Sequence, residues 1–204
     1  MRSGARFDEG EGTTVVDKQA VTSAVTQLIL AIGEDPLREG LQGTPRRIAE
    51  MYEEIFQGVD EDPRAVLQVG FEEDHQEMVI VRDISFYSLC EHHFMPFFGS
   101  FHVGYIPKGR VVGISKLARC VEILARRPQL QERLTSQIAD IIMEELDPFG
   151  VAVVGHAQHL CMTMRGIRKP GSQVITSANR GVFRDNSVTR AEFMALLGDE
   201  HRVV

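Results

Sequence analysis

Cysteine is scarce in this chain of 204 residues, with three in all, at positions 90, 120 and 161. Three thiols cannot form a paired disulfide framework, so in a reducing compartment they are packed, catalytic or metal-bound. Positive charge is short as well: 22 Lys and Arg face 29 Asp and Glu, a net charge of −7. That balance argues against a general nucleic-acid binder. No apolar run reaches the ~18 residues of a membrane helix. The polar, Gly-rich stretch from Met1 to Thr14 lacks the apolar core of a secretory signal. Repeats and low-complexity tracts are missing too. The expectation is a cytoplasmic protein with no membrane or nucleic-acid partner. Hydrophobic residues at 43% and charged residues at 25% are ordinary for a globular fold and exclude a disordered chain, a collagen or a coiled-coil rod.

What is present falls into three stretches. Residues 1–15 read as a disordered tail, too poor in apolar residues to offset ordering entropy. Residues 16–70 read as a helical segment. Ala20, Val21, Ala24, Val25, Leu28 and Ile32 recur at helical spacing, and Gly33 and Pro36 end that helix. A second helix starts at Thr44 as N-cap with Pro45 in the first turn, and turns Ile48, Met51, Tyr52 and Ile55 inward. Residues 71–204 read as a second domain of mixed strands and helices. Met78 to Tyr87 and Phe97 to Ile106 are β-branched and aromatic runs that predict strands. Ser115 to Arg127 and Leu130 to Leu146 predict amphipathic helices. A strand opens at Val151 and could run to Met164, another spans Gln173 to Ser177, and a helix over Val188 to Leu197 closes the chain. The fold class is α+β.

Two clusters carry metal chemistry. In Cys90-Glu91-His92-His93, Cys and His lie at spacings that zinc selects. On a straight strand Cys90 and His92 share a face, so Cys90 and His93 reach one ion only if the chain bends. The same four residues also suit a solvated turn. In His159-Leu160-Cys161 both outer residues project from one face if the strand continues. Together the clusters offer three zinc ligands with no obvious fourth, which favours a catalytic over a structural site. The spare histidines suit proton transfer near neutral pH. Cys120 falls on an amphipathic helix and reads as packed.

The basic residues are uneven: Lys108, Arg110, Lys116, Arg119, Arg126 and Arg127 accompany one acid, Glu122, between 108 and 127. Ser115 reads as an N-cap, with Lys116 and Arg119 on one face of the first turn. Cations there oppose the helix dipole unless an anion docks on the free N–H groups. A solvated basic face is the plain alternative. Arg165 and Arg47 are further anion-binding candidates. Gln131-Glu132 open the next helix, where an acid suits the dipole and a partly buried carboxylate would also suit the donor edge of a guanine.

Taken together these motifs resemble GTP cyclohydrolase I, in order and spacing. The resemblance rests on Ser88-Leu89-Cys90-Glu91-His92-His93-Phe94, Gly104-Tyr105-Ile106-Pro107, Gly113-Ile114-Ser115-Lys116, the run from Arg127 to Leu134, His159-Leu160-Cys161-Met162 with Arg165-Gly166, and Thr44 to Ala49. It covers about residues 17–200. It implies a tunnelling fold, an antiparallel sheet with two helices on one face, assembled as a toroidal homodecamer with active sites between subunits. It implies conversion of GTP and water to 7,8-dihydroneopterin triphosphate and formate. By motif position, Cys90, His93 and Cys161 correspond to ligands of Zn2+, and His92 and His159 to an acid–base pair. Ser115, Lys116, Arg119, Arg165 and Arg47 correspond to the triphosphate site, and Gln131 with Glu132 to the guanine anchor.

Two positions depart from the family pattern. His156 stands where an acid is usual, three residues before His159, and Ser177-Ala178-Asn179-Arg180-Gly181 replaces a small apolar run. Two other readings compete: a zinc-stabilised guanine-nucleotide scaffold without turnover, and a tunnelling-fold nitrile reductase of deazapurine metabolism. The second needs a nucleophilic cysteine that is not a ligand.

Overall fold

A computed structural model describes residues 16–198, so the tail expected over 1–15 lies outside the described residues. The described chain divides after Gln57 into two compact units. The first holds helices α1 (Lys18–Ala31) and α2 (Thr44–Ile55). The Asp17 carboxylate caps α1, accepting from the Ala20 N–H at 2.9 Å. Thr44 is not the cap of α2: Gly43 takes that place and Thr44 is the first helical residue. Ala49 is buried on α2, whereas Met51, expected inside, is exposed.

The second unit is built on a five-stranded sheet in the order β5-β2-β3-β6-β7. The strands are β2 (Val79–Cys90), β3 (Met95–Ile106), β5 (Pro128–Gln129), β6 (Gly150–His159) and β7 (Val174–Gly181). A separate antiparallel pair joins β1 (Gly70–Glu72) to β4 (Arg110–Val112). The main sheet is antiparallel except at β5, which lies parallel to the end of β2 through Leu89↔Pro128 and Cys90↔Gln129. The long strands arise where β-branched and aromatic residues alternate with smaller ones. One bulge interrupts β2: Arg82 and Asp83 stand between the pairs Val81↔Val103 and Ile84↔Phe101, opposite the single residue His102. Asp83 takes φ +58 there, and its N–H donates to His102 Nδ1 at 3.2 Å.

Helices α3 (Ile114–Ala125) and α4 (Gln131–Leu146) cover one face. Their Leu117, Val121, Leu124, Leu134, Ile138 and Ile142 pack with Phe97, Phe101, Val103 and Val153 from the strands. Each such side chain taken out of water contributes about 1.5–3 kcal/mol, which makes this the main core. Phe101 fills the space over Gly155, where an added Cβ would sit 2.2 Å from its ring. The architecture is the antiparallel sheet with two helices on one face that the family resemblance implies. The closing helix adds something not foreseen. α6 (Val182–Asp185) and α7 (Ser187–Leu197) place Phe183, Phe193 and Leu197 on the opposite face, against Ala152 and Val154. No described helix is long and apolar enough to cross a membrane.

Candidate metal and proton-transfer site

The chain does bend after Cys90. β2 ends at that residue, and the N–H groups of His93 and Phe94 return to its carbonyl at 3.2 and 2.8 Å. Phe94 takes φ +51 to close the turn, so the reversal precedes Pro96, which already lies in β3. His93 is thereby swung back towards Cys90. The third member arrives differently from the sequence expectation. β6 stops at His159, and Leu160–Thr163 form a single helical turn, α5. His159 and Cys161 are therefore not successive residues on one strand face; the helical turn carries the thiol to Cys90. The donor atoms of Cys90, His93 and Cys161 all lie within 4.8 Å of one another. Cys90 is buried, Cys161 partly so, and His93 is exposed, so the group opens to solvent on one side. Burial first, and then Cys90, pushes the Cys161 thiol pKa up; Arg165 acts in the opposite direction. Two soft sulfur donors and an imidazole this close can hold a metal ion.

His159 is fixed beside this group. Its ring stacks on Phe97, with centroids 4.6 Å apart and planes within 8°. Its Nε2 lies 2.8 Å from Gln131 Oε1. The amide orientation of Gln131 follows from its other contacts: Nε2 faces the carbonyls of Gly155 (3.2 Å) and Val174 (2.9 Å) and the hydroxyl of Thr176 (3.1 Å). Carbonyl oxygens only accept, so the NH2 must lie there and the amide oxygen must face His159. An amide oxygen also only accepts. Neutral His159 therefore carries its proton on Nε2 and its lone pair on Nδ1. Burial lowers the pKa of His159, and the Glu132 carboxylate partly opposes this. Thr135 Oγ1 donates to the Gln131 carbonyl at 2.7 Å and lies 2.6 Å from the Thr176 hydroxyl, which ties the network to α4.

These contacts place the α4 start beside His159. Gln131 is 1% exposed and its side-chain amide is committed to the protein, so it serves His159. Glu132 is exposed in the chain rather than partly buried, and close enough to act on His159. Thr176 and Phe97 went unnoticed in the sequence because their relevance depends on strand register: Phe97 pairs with His159, and Thr176 with Gly155. His92 is exposed in the turn, its ring 6.3 Å from that of His93.

The basic residues lie elsewhere. Gly113, not Ser115, caps α3, and Ser115 falls in its first turn. Ser115 and Arg119 line a groove of about 680 Å³ between α3 and residues 81–87 of β2. None of Cys90, His93, Cys161 or His159 lines it. Lys116 follows in the same helical turn, and Arg119 has Glu122 3.5 Å away. Arg165 is exposed just beyond α5, and Arg47 is exposed on α2. Of the departures, His156 bonds Ser100 at 3.0 Å on the sheet face opposite His159, and Arg180 Nε donates to Asp140 of α4 at 2.5 Å.

Comparison with known proteins identifies the family. Residues 21–198 match the family model for GTP cyclohydrolase I. A GTP cyclohydrolase 1 of Carboxydothermus hydrogenoformans is 60% identical over 91% of this chain and 97% of its own length. That of Dehalococcoides mccartyi is 60% identical over 91% and 99%. That of Halalkalibacterium halodurans is 56% identical over 89% and 97%. Matches of this length span both metal-donor segments, the α3 start and the α4 start, and on that ground the chain belongs to the GTP cyclohydrolase I family.

Proposed function

We propose that this chain is a zinc-dependent GTP cyclohydrolase I that converts GTP and water to 7,8-dihydroneopterin triphosphate and formate. Cyclohydrolase activity follows from the family at about 60% identity. The metal, the residue roles and the assembly are our reading of the site. The observation that carries them is the convergence of Cys90, His93 and Cys161 within 4.8 Å, with His159 held in one orientation beside them.

The donor set fits zinc: two thiolates, one imidazole and an open side make three protein ligands with a position to spare. When bound there, zinc supplies Lewis acidity that brings the pKa of a coordinated water towards ~7. The chain's own residues do the rest. His159 and His92 move protons as water adds at C8 and the imidazole ring of the purine opens to a formamide. A second water releases formate, and the water lost when the six-membered ring closes restores the balance. Gln131 keeps the His159 lone pair on Nδ1. Glu132 accepts from the N–H and NH2 edge of the guanine, and Ser115, Lys116, Arg119, Arg165 and Arg47 hold the triphosphate. We assign catalysis to residues 71–204, preceded by the helical segment 16–70.

A toroidal homodecamer with sites between subunits fits two features. Among the described residues, β2 has a strand on its outer side only at Leu89 and Cys90, and β7 has β6 alone as a neighbour. Unpaired edges of this length invite pairing with another copy. The groove holding Ser115 and Arg119 lies along the β2 edge and apart from the metal group, so a second copy could complete it.

Purified protein incubated with GTP should yield one formate per pterin, followed by pterin fluorescence, and contain about one zinc per chain. Protein with full zinc that releases neither product would overturn the reading.

A further inference from the structure

We infer that Glu91 and Arg133 form a positioning pair that sets the metal-donor turn at a fixed distance and rotation from the first turn of α4. The inference rests on the cyclohydrolase reading above. Glu91 sits between Cys90 and His92, inside the turn that swings His93 back. Its two carboxylate oxygens each receive one bond from Arg133, Nη1 to Oε2 at 2.5 Å and Nη2 to Oε1 at 3.0 Å. The side chains are 29% and 44% exposed, so the pair contributes little to stability as an ion pair. Its geometry is the informative part. A planar guanidinium on both oxygens of a carboxylate fixes separation and rotation together, which a single contact does not.

The place where the fork is anchored gives it meaning. Three successive residues of α4 reach two groups: Gln131 bonds His159, Glu132 acts electrostatically on the same ring, and Arg133 grips the metal turn. β5 leads directly into this helix and pairs with Cys90 through Gln129, and the Glu91 N–H donates to the Gln129 carbonyl at 3.1 Å. Backbone and side chain of Glu91 thus tie the same turn to the same short segment. Metal donors, proton carrier and base anchor are held on one frame. Neither Glu91 nor Arg133 belongs to the donor group, so both act through their neighbours.

The test compares Glu91→Gln, Arg133→Gln and the double variant, loaded with cobalt in place of zinc for spectroscopy and with zinc for turnover. Each single variant should keep one metal per chain and shift the visible cobalt spectrum in the same way. Each should lose about ten- to a hundredfold in kcat, the scale of a misplacement of about 1 Å. The Michaelis constant for GTP should stay within about twofold, since binding groups are untouched. The double variant should be no worse than the poorer single, because both remove one shared contact. Arg133→Lys keeps the charge without the fork and should behave like Arg133→Gln. An Arg133→Gln cobalt spectrum superimposable on wild type overturns the inference. So do single effects that multiply in the double, or full recovery with Lys. Failure of the cyclohydrolase reading looks different: wild-type protein releases no formate, while the cobalt comparison still reports on the pair.

Discussion

The two ends of the proposed substrate site are built in opposite ways. At the metal end the chain supplies every partner itself: Gln131 spends its amide on two carbonyls, a hydroxyl and His159, and Phe97 stacks the ring. At the basic end Ser115 and Arg119 are exposed along an open groove beside a strand edge. Proton transfer demands a donor held in one orientation before the substrate arrives, and only internal hydrogen bonds do that. Binding a triphosphate demands free cations and free N–H groups, which a self-contained fold would have satisfied. The first end is therefore organised by contacts within one chain, and the second is left open to solvent.

Breaking the metal end should give the largest effect. Cys161→Ala removes one of three donors, so metal analysis should show near-complete loss of zinc and turnover should fall to background. Wild-type zinc content in that variant would show the ligand assignment to be wrong. His159→Ala comes next. It should keep its zinc and lose at least ~100-fold in kcat, the scale of a missing general acid or base. Joint loss of zinc and activity would instead make His159 a donor.

That contrast also explains what could be read from the sequence. The helices and long strands were legible because apolar periodicity survives in α3, α4 and β2. The metal group is legible as residue types, and so is the bend it needs. Its actual means were not: a left-handed Phe94 and a one-turn helix at Leu160 depend on local backbone choices that no periodicity encodes. The bond from Gln131 to His159 is not legible in the sequence, because Gln131 is held through Gly155, Val174 and Thr176, residues up to 45 positions away that only strand register brings together. The caps of α2 and α3 lie one and two residues before Thr44 and Ser115, which have cap chemistry, because a glycine precedes each helix.

Breaking the basic end should cost less and in a different parameter. Lys116→Ala should raise the Michaelis constant for GTP about tenfold, the scale of one lost charge-assisted contact, with zinc content unchanged. Removing phosphates from the ligand should weaken binding to wild type far more than to the variant, which has already lost part of that contact. Added salt should weaken GTP binding in wild type. Equal affinity of wild-type protein for guanosine and GTP would leave this cluster as a solvated face.

The smallest effect belongs to the third cysteine, and its smallness is the point. Cys120 is fully buried in the core of α3, and burial pushes its thiol up to about 12 against the opposing charges of Arg127 and Arg64. At pH 8 only about one molecule in ten thousand would carry the thiolate, the form that attacks carbon or sulfur. A nitrile reductase needs a reactive cysteine outside the metal group, and this buried thiol is the remaining one in the sequence. Thiol-specific labelling of native, zinc-loaded protein should therefore leave Cys120 unmodified until the chain is unfolded. Cys120→Ala should keep kcat, the Michaelis constant and zinc content at wild-type levels. It should lose about 1 kcal/mol of stability for the volume removed from a packed core. A folded Cys120→Ala protein without activity would transfer the chemistry to this residue and displace the assignment to His92 and His159.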